Sequence, residues 1–160
     1  MKNIPITLVT FLLVLSTLLT TDIAAETETK PTKNKITYHN SGKILPADLP
    51  FSELVQVGKT LYLSGQIGVI PGHLKLVAGG LEQEAKQTLE NIKSILEHYG
   101  FSMDNLVKCT VMLTDMSEWA AFNEIYKTYF TKPYPARSAF GASGLAINAR
   151  VEVECLGAVE

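Results

Sequence analysis

The stretch that decides the fold is residues 81–113, LEQEAKQTLENIKSILEHYGFSMDNLVKCTVML. In its first part Leu81, Ala85, Leu89, Ile92, Ile95, Leu96 and Tyr99 recur at steps of three and four, so one stripe of a helix over 81–99 faces a core. Glu82 and Lys86 pair on the opposite side, and Gly100 suits the position just past the helix. In its second part the period changes to two, and Val107, Cys109, Val111 and Leu113 share one face of a strand.

Working outward, the same two periods repeat. A second helix is expected over 118–130, with Ser117 as N-cap and Trp119, Phe122, Ile125 or Tyr126, and Tyr129 as its apolar face. Pro133 and Pro135 prevent its continuation. Strands are expected at 136–142 and 150–159, the latter with Val151, Val153, Cys155 and Val159 on one face and Arg150, Glu152 and Glu154 on the other. On the N-terminal side, 52–57, Gly58-Lys59 and 60–67 read as a hairpin, with Leu61 and Leu63 alternating with Tyr62 and Ser64. Residues 35–38 are a short strand candidate. The resulting order is β-β-α-β-α-β-β. Two amphipathic helices must bury their stripes on one face of a mixed sheet, which gives an α+β two-layer sandwich. Glu152 and Glu154 make the second face polar or shared with another subunit.

The chain has 160 residues, 46% hydrophobic and 19% charged, enough for one domain. Lys2, the apolar run from Leu8 to Leu15 and on to Leu18-Leu19, and Ala24-Ala25 before Glu26 have the layout of a secretory signal. The domains read as a signal at 1–25, a polar flexible leader at 26–34 and one folded unit at 35–160. This predicts an exported protein, periplasmic or secreted, that is held at a membrane only if the signal stays uncut. Removing Lys2 and Asp22 with the signal leaves the net charge at −2. No Lys/Arg cluster offers a nucleic-acid surface. His39, His73 and His98 lack metal-ligand spacing and read as surface or loop residues, so no metal is expected. Export would allow a Cys109–Cys155 disulfide, but the strand patterns around both favour small buried core thiols.

No Ser-His-Asp set, phosphate loop or dinucleotide fingerprint is present. What remains is Pro135-Ala136-Arg137-Ser138 opening one strand and Val151-Glu152-Val153-Glu154 on the next. The planar fork of Arg137 matches a small carboxylate, and Glu152 could orient a water or shuttle a proton. The same two residues could also be a structural ion pair. Ser64-Gly65-Gln66 reads as a bend or a close backbone contact.

Several blocks, in order, resemble the RidA/YjgF family of reactive imine/enamine deaminases. They are Leu63-Ser64-Gly65-Gln66-Ile67-Gly68, Gln87-Thr88-Leu89-Glu90-Asn91-Ile92, Leu106 to Val111 with Leu113-Thr114-Asp115-Met116, Phe122-Asn123-Glu124-Ile125-Tyr126, and Pro135-Ala136-Arg137-Ser138 through to Glu154. The resemblance covers residues 48–160. It implies a chorismate-mutase-like sandwich, a homotrimer with clefts between subunits, and hydrolysis of 2-imino acids to 2-oxo acids and ammonia without a cofactor. It also implies roles. Arg137 would bind the substrate carboxylate and Glu152 would activate water. Ser64, Gly65 and the Ala139 backbone would line the pocket, and Asn123 would shape the cleft. Three positions depart from the family pattern. Phe51 stands where a pocket Tyr is common, Ala139 where Cys is frequent, and Ala146-Ile147 lack a proline. The alternative reading is a non-catalytic module that binds a small carboxylate or a partner protein.

Overall fold

Two helices lie across one face of a six-stranded mixed sheet in this computed structural model, which describes residues 34–160. The expected signal and all but the end of the leader fall outside the described residues. The elements are β1 (Ile36–His39), β2 (Leu54–Val57), β3 (Thr60–Ile67), α1 (Gly80–His98), β4 (Leu106–Leu113), α2 (Trp119–Tyr126), β5 (Ala136–Gly141) and β6 (Val151–Ala158). The candidate strand near residue 36 is real, so the order gains one strand at its start.

The sheet runs β1-β2-β3-β6-β4-β5. β1, β2 and β3 form an antiparallel meander, and β6 is antiparallel to both β3 and β4. β5 runs parallel to β4, joined by the crossover through α2. β3 and β4 therefore also run parallel, with α1 between them in sequence and β6 between them in the sheet. The expectation that the strands of Arg137 and Glu152 are neighbours is corrected, because β4 separates them.

The core lies between the helices and the sheet. α1 contributes Leu81, Ala85, Leu89, Ile92, Ile95 and Leu96, α2 contributes Phe122 and Tyr126, and the strands contribute residues such as Leu61, Leu63, Val111 and Val153. Gly100 has a positive φ of 80°, and the Phe101 amide donates to the Leu96 carbonyl, which closes α1. α2 is shorter than its sequence pattern. Trp119 stays 43% exposed, and the turn before α2 is capped by Asp115, whose carboxylate accepts from the Ser117 amide. Asp115 is two residues upstream of the expected cap, because a short 3-10 turn at Met116–Glu118 precedes the helix.

The expectation of two core thiols is corrected as well. Cys109 and Cys155 face each other across the antiparallel β4–β6 pair, with Cα atoms 4.1 Å apart, and form a buried disulfide. Sequence patterning placed both on the core face, but only the register shows that they are opposite one another. His39, read as a surface or loop residue, lies in β1 with its ring tilted against Tyr99 at 4.4 Å.

The sheet's other face has no helix over it. Register places Tyr38, Val55, Tyr62 and Leu156 in one row across β1, β2, β3 and β6. Tyr38 is 71%, Tyr62 47% and Leu156 41% exposed. Further along, Glu152 lies beside Met112, which lies beside Phe140.

Candidate active site

The bend expected at Ser64-Gly65-Gln66 is a β-bulge. Leu63 pairs with Cys155, but the next pair is Gln66 with Val153, so β3 uses one residue more than β6. The extra residue turns the Gln66 side chain into the core, where it is fully buried. Its amide nitrogen donates back to the Ser64 carbonyl at 3.1 Å and spans the bulge. Gly65 sits at the bend, directly against Glu152. A Cβ added there would collide with Glu152 Oε1 and lie 2.9 Å from its Cδ. Only glycine allows the carboxylate this close to the backbone.

Helix α1 fixes the far end of β3 with polar residues inside its apolar stripe. Asn91, fully buried, donates from Nδ2 to the Ile67 and Val69 carbonyls at 3.1 and 3.0 Å and accepts from Gln87 Nε2. Glu84, one helical turn before Thr88, accepts from the Arg150 amide at 2.7 Å. The start of β6, and so the Glu152 side chain, is thereby referenced to the same helix that holds β3.

Ser64 Oγ donates to the Ser52 carbonyl at 2.6 Å, which ties the bend carrying Phe51 to the bulge. Glu53, only 2% exposed, secures the same segment from the other side. Its carboxylate accepts from the Ser41 amide at 2.7 Å, from Ser41 Oγ at 2.8 Å and from the Tyr99 hydroxyl at 3.3 Å. Phe51 itself is 46% exposed. Glu152 is half-buried on the helix-free face. Burial, and then the like charge of Glu154 on the same face, hold its carboxyl above the usual glutamate value.

Arg137 belongs to a different neighbourhood. It pairs with Cys109 in the β4–β5 register, so it points to the helix side of the sheet, whereas Glu152 points away from the helices. Its Nη2 donates to Asn123 Oδ1 at 2.5 Å. Asn123, Tyr126, Tyr134 and Pro135 share with it a cleft of about 390 Å³ at the β5 edge. Ala139, two residues on and on the same face, packs against the core.

The seven residues expected from sequence thus divide into two groups. Phe51, Ser64, Gly65 and Glu152 lie around the bulge, and Asn123, Arg137 and Ala139 lie at the β5 edge. No ion pair joins Arg137 to Glu152 among the described residues, so the structural ion-pair reading is corrected. Glu53 and Tyr126 were missed. Tyr126 had a signal, since it lies three residues after Asn123 on the same helix face. Glu53 had none, because a buried carboxylate in a strand-like run looks like any solvated one.

Chemically, one group presents a cation that fits a carboxylate, and the other presents a carboxylate able to hold a water. No group of three His, Cys, Asp or Glu among the described residues could hold a metal.

The family described as Endoribonuclease L-PSP matches residues 42–159. The 2-iminobutanoate/2-iminopropanoate deaminase of Mus musculus is 47% identical over 107 residues, which are 67% of this chain and 79% of that protein. Among solved structures, RidA from the Antarctic bacterium Psychrobacter sp. PAMC 21119 superposes with a TM-score of 0.72 at 36% identity, covering 77% of this chain and 99% of that one. Escherichia coli TdcF, crystallised with bound serine, gives a TM-score of 0.71 at 29% identity, covering 78% and 99%.

Proposed function

The chain belongs to the RidA family, described as Endoribonuclease L-PSP, and from that premise we propose that it hydrolyses 2-imino acids to 2-oxo acids and ammonia. The observation that carries the reading is the pair of half-sites. Arg137 offers a guanidinium with one Nη held by Asn123, and Glu152 offers a carboxylate lying against Gly65. Arg137 binds the substrate carboxylate, which fixes C2 of the imine in place. Glu152 orients a water. The water oxygen bonds to C2 as the imine nitrogen takes a proton. The resulting carbinolamine then expels ammonia, and its hydroxyl becomes the carbonyl of the 2-oxo acid. Imines of this kind hydrolyse unaided, so orientation and proton transfer suffice.

The half-sites lie on opposite faces of one sheet, so a single chain does not close a site around one small molecule. A second copy brings them together, as in a homotrimer with clefts between subunits. The uncovered row of Tyr38, Tyr62 and Leu156 supports this assembly, since apolar surface of that kind gains from being buried against a partner. An RNA substrate is not favoured. RNA needs clustered cations, and the chain carries a net charge of −2. We further propose that residues 1–25 direct export and that the imines arise from amino-acid oxidation outside the cytoplasm. The buried disulfide fits an oxidising compartment.

The test is imine hydrolysis by the purified protein. An amino-acid oxidase generates imino acids, and semicarbazide traps what the protein leaves. Trapped product should fall with added protein. Arg137→Ala should lower the rate by about a hundredfold or more while the oligomer persists. No acceleration across small, aliphatic and aromatic imino acids, with the oligomer intact, would overturn the reading.

A further inference from the structure

We propose that Tyr126 is a positioning residue for Arg137: its ring is the plate that holds the guanidinium in the orientation in which it takes a carboxylate. The inference rests on the assignment of Arg137 as the carboxylate-binding group and adds what makes that group rigid. The Arg137 Cζ lies 4.7 Å from the Tyr126 ring centroid, the distance of a stacked cation–π contact. The Phe122 ring flanks the cation at 6.0 Å. Tyr126 is itself held by Phe130, whose ring stacks on it at 4.4 Å with 29° between planes. It is 4% exposed, so the plate cannot swing away.

Asn123 alone would leave the guanidinium free to turn about one hydrogen bond. The ring restricts that freedom, since the cation is drawn onto the π face and turning away would cost that contact. One Nη2 hydrogen is committed to Asn123. Among the described residues the second Nη2 hydrogen and the other guanidinium nitrogens have no protein acceptor, so Nη2 and a neighbouring nitrogen still offer a pair of donors. A bidentate carboxylate needs two such donors side by side.

The ring, not the hydroxyl, carries the role. The Tyr126 hydroxyl is buried and makes no hydrogen bond. Burial pushes it up to about 12, against the opposing pull of Arg137, so it stays a neutral phenol across the working range.

Two variants separate ring from hydroxyl, with pyruvate as the carboxylate probe and KM for imino acids as the kinetic one. Tyr126→Phe should bind pyruvate within about twofold of the parent. Tyr126→Leu should weaken pyruvate binding and raise KM by about tenfold, with kcat changed less and the oligomer unchanged. Where the leucine variant does not fold, Phe130→Leu loosens the plate instead and should weaken pyruvate by about threefold. A folded Tyr126→Leu that binds pyruvate like the parent would overturn the inference, as would Phe130→Leu doing so where the leucine variant does not fold. So would Tyr126→Phe losing as much as Tyr126→Leu, since the hydroxyl would then be the active part. Arg137→Ala is the control. If it binds pyruvate as well as the parent does, the carboxylate assignment of Arg137 has failed and this inference falls with it.

Discussion

Gly65 and Glu152 show how much chemistry one missing methyl group permits. Gly65→Ala would place a carbon where the Glu152 carboxylate now sits, and the carboxylate must move. The expected result is a loss of imine hydrolysis of at least about tenfold, with a stability cost of about 1–3 kcal/mol from overpacking, read by urea unfolding. Glu152 also makes a pH-dependent contribution. Its folded-state pKa is raised, by burial first and by Glu154 second. A raised carboxyl stabilises the fold below the unfolded value, and that contribution is lost as pH rises through the folded value. Glu152→Gln, which mimics the protonated form, should therefore match the parent near about pH 4 and become the more stable of the two towards about pH 7. Denaturant midpoints at both pH values check the sign.

At the scale of the element, α1 is an apolar stripe with a polar seam. Glu84, Thr88 and Asn91 are buried inside it; Asn91 fixes the end of β3 and Glu84 the start of β6, while Thr88 Oγ1 donates within the helix to the Glu84 carbonyl. Asn91→Ala would leave the Val69 carbonyl without its Asn91 donor, while the Ile67 carbonyl keeps the Val69 amide, and should cost about 1–3 kcal/mol, measured by urea unfolding. The stripe itself was legible, because its period needs only the residue types. The seam was not, since a polar residue at a buried helical position looks the same in sequence as one at a solvated position. Strands were legible for the same reason as the stripe, through the alternation of Val107, Cys109, Val111 and Leu113. Their neighbours were not. Nothing local in 136–159 says that β4 lies between β5 and β6, or that Arg137 and Glu152 point to opposite sides. Ser64-Gly65-Gln66 was read correctly as a bend or close contact, because glycine in a strand has few other uses.

At the scale of the whole molecule, the Cys109–Cys155 bond links two central strands across 46 residues of chain. In register it falls in one row with Leu63 on β3 and Arg137 on β5. Replacing both cysteines with alanine should cost roughly 2–4 kcal/mol, the usual worth of a native cross-link, with the sheet order retained. Thermal unfolding of the parent and the double variant would measure it. A parent that unfolds no later than the double variant would mean the bond adds nothing to stability.

The central place of β6 has one more consequence, and it concerns time. The β1–β2–β3 meander and the β4–α2–β5 unit can each form from nearby residues. Within the sheet they are joined only through β6, which the ribosome makes after every other described strand. Until then two half-sheets expose unpaired inner edges, and the nascent chain cannot close. A translocation channel that accepts only unfolded polypeptide would find this chain threadable for nearly all of its synthesis. The keystone of the sheet arrives last.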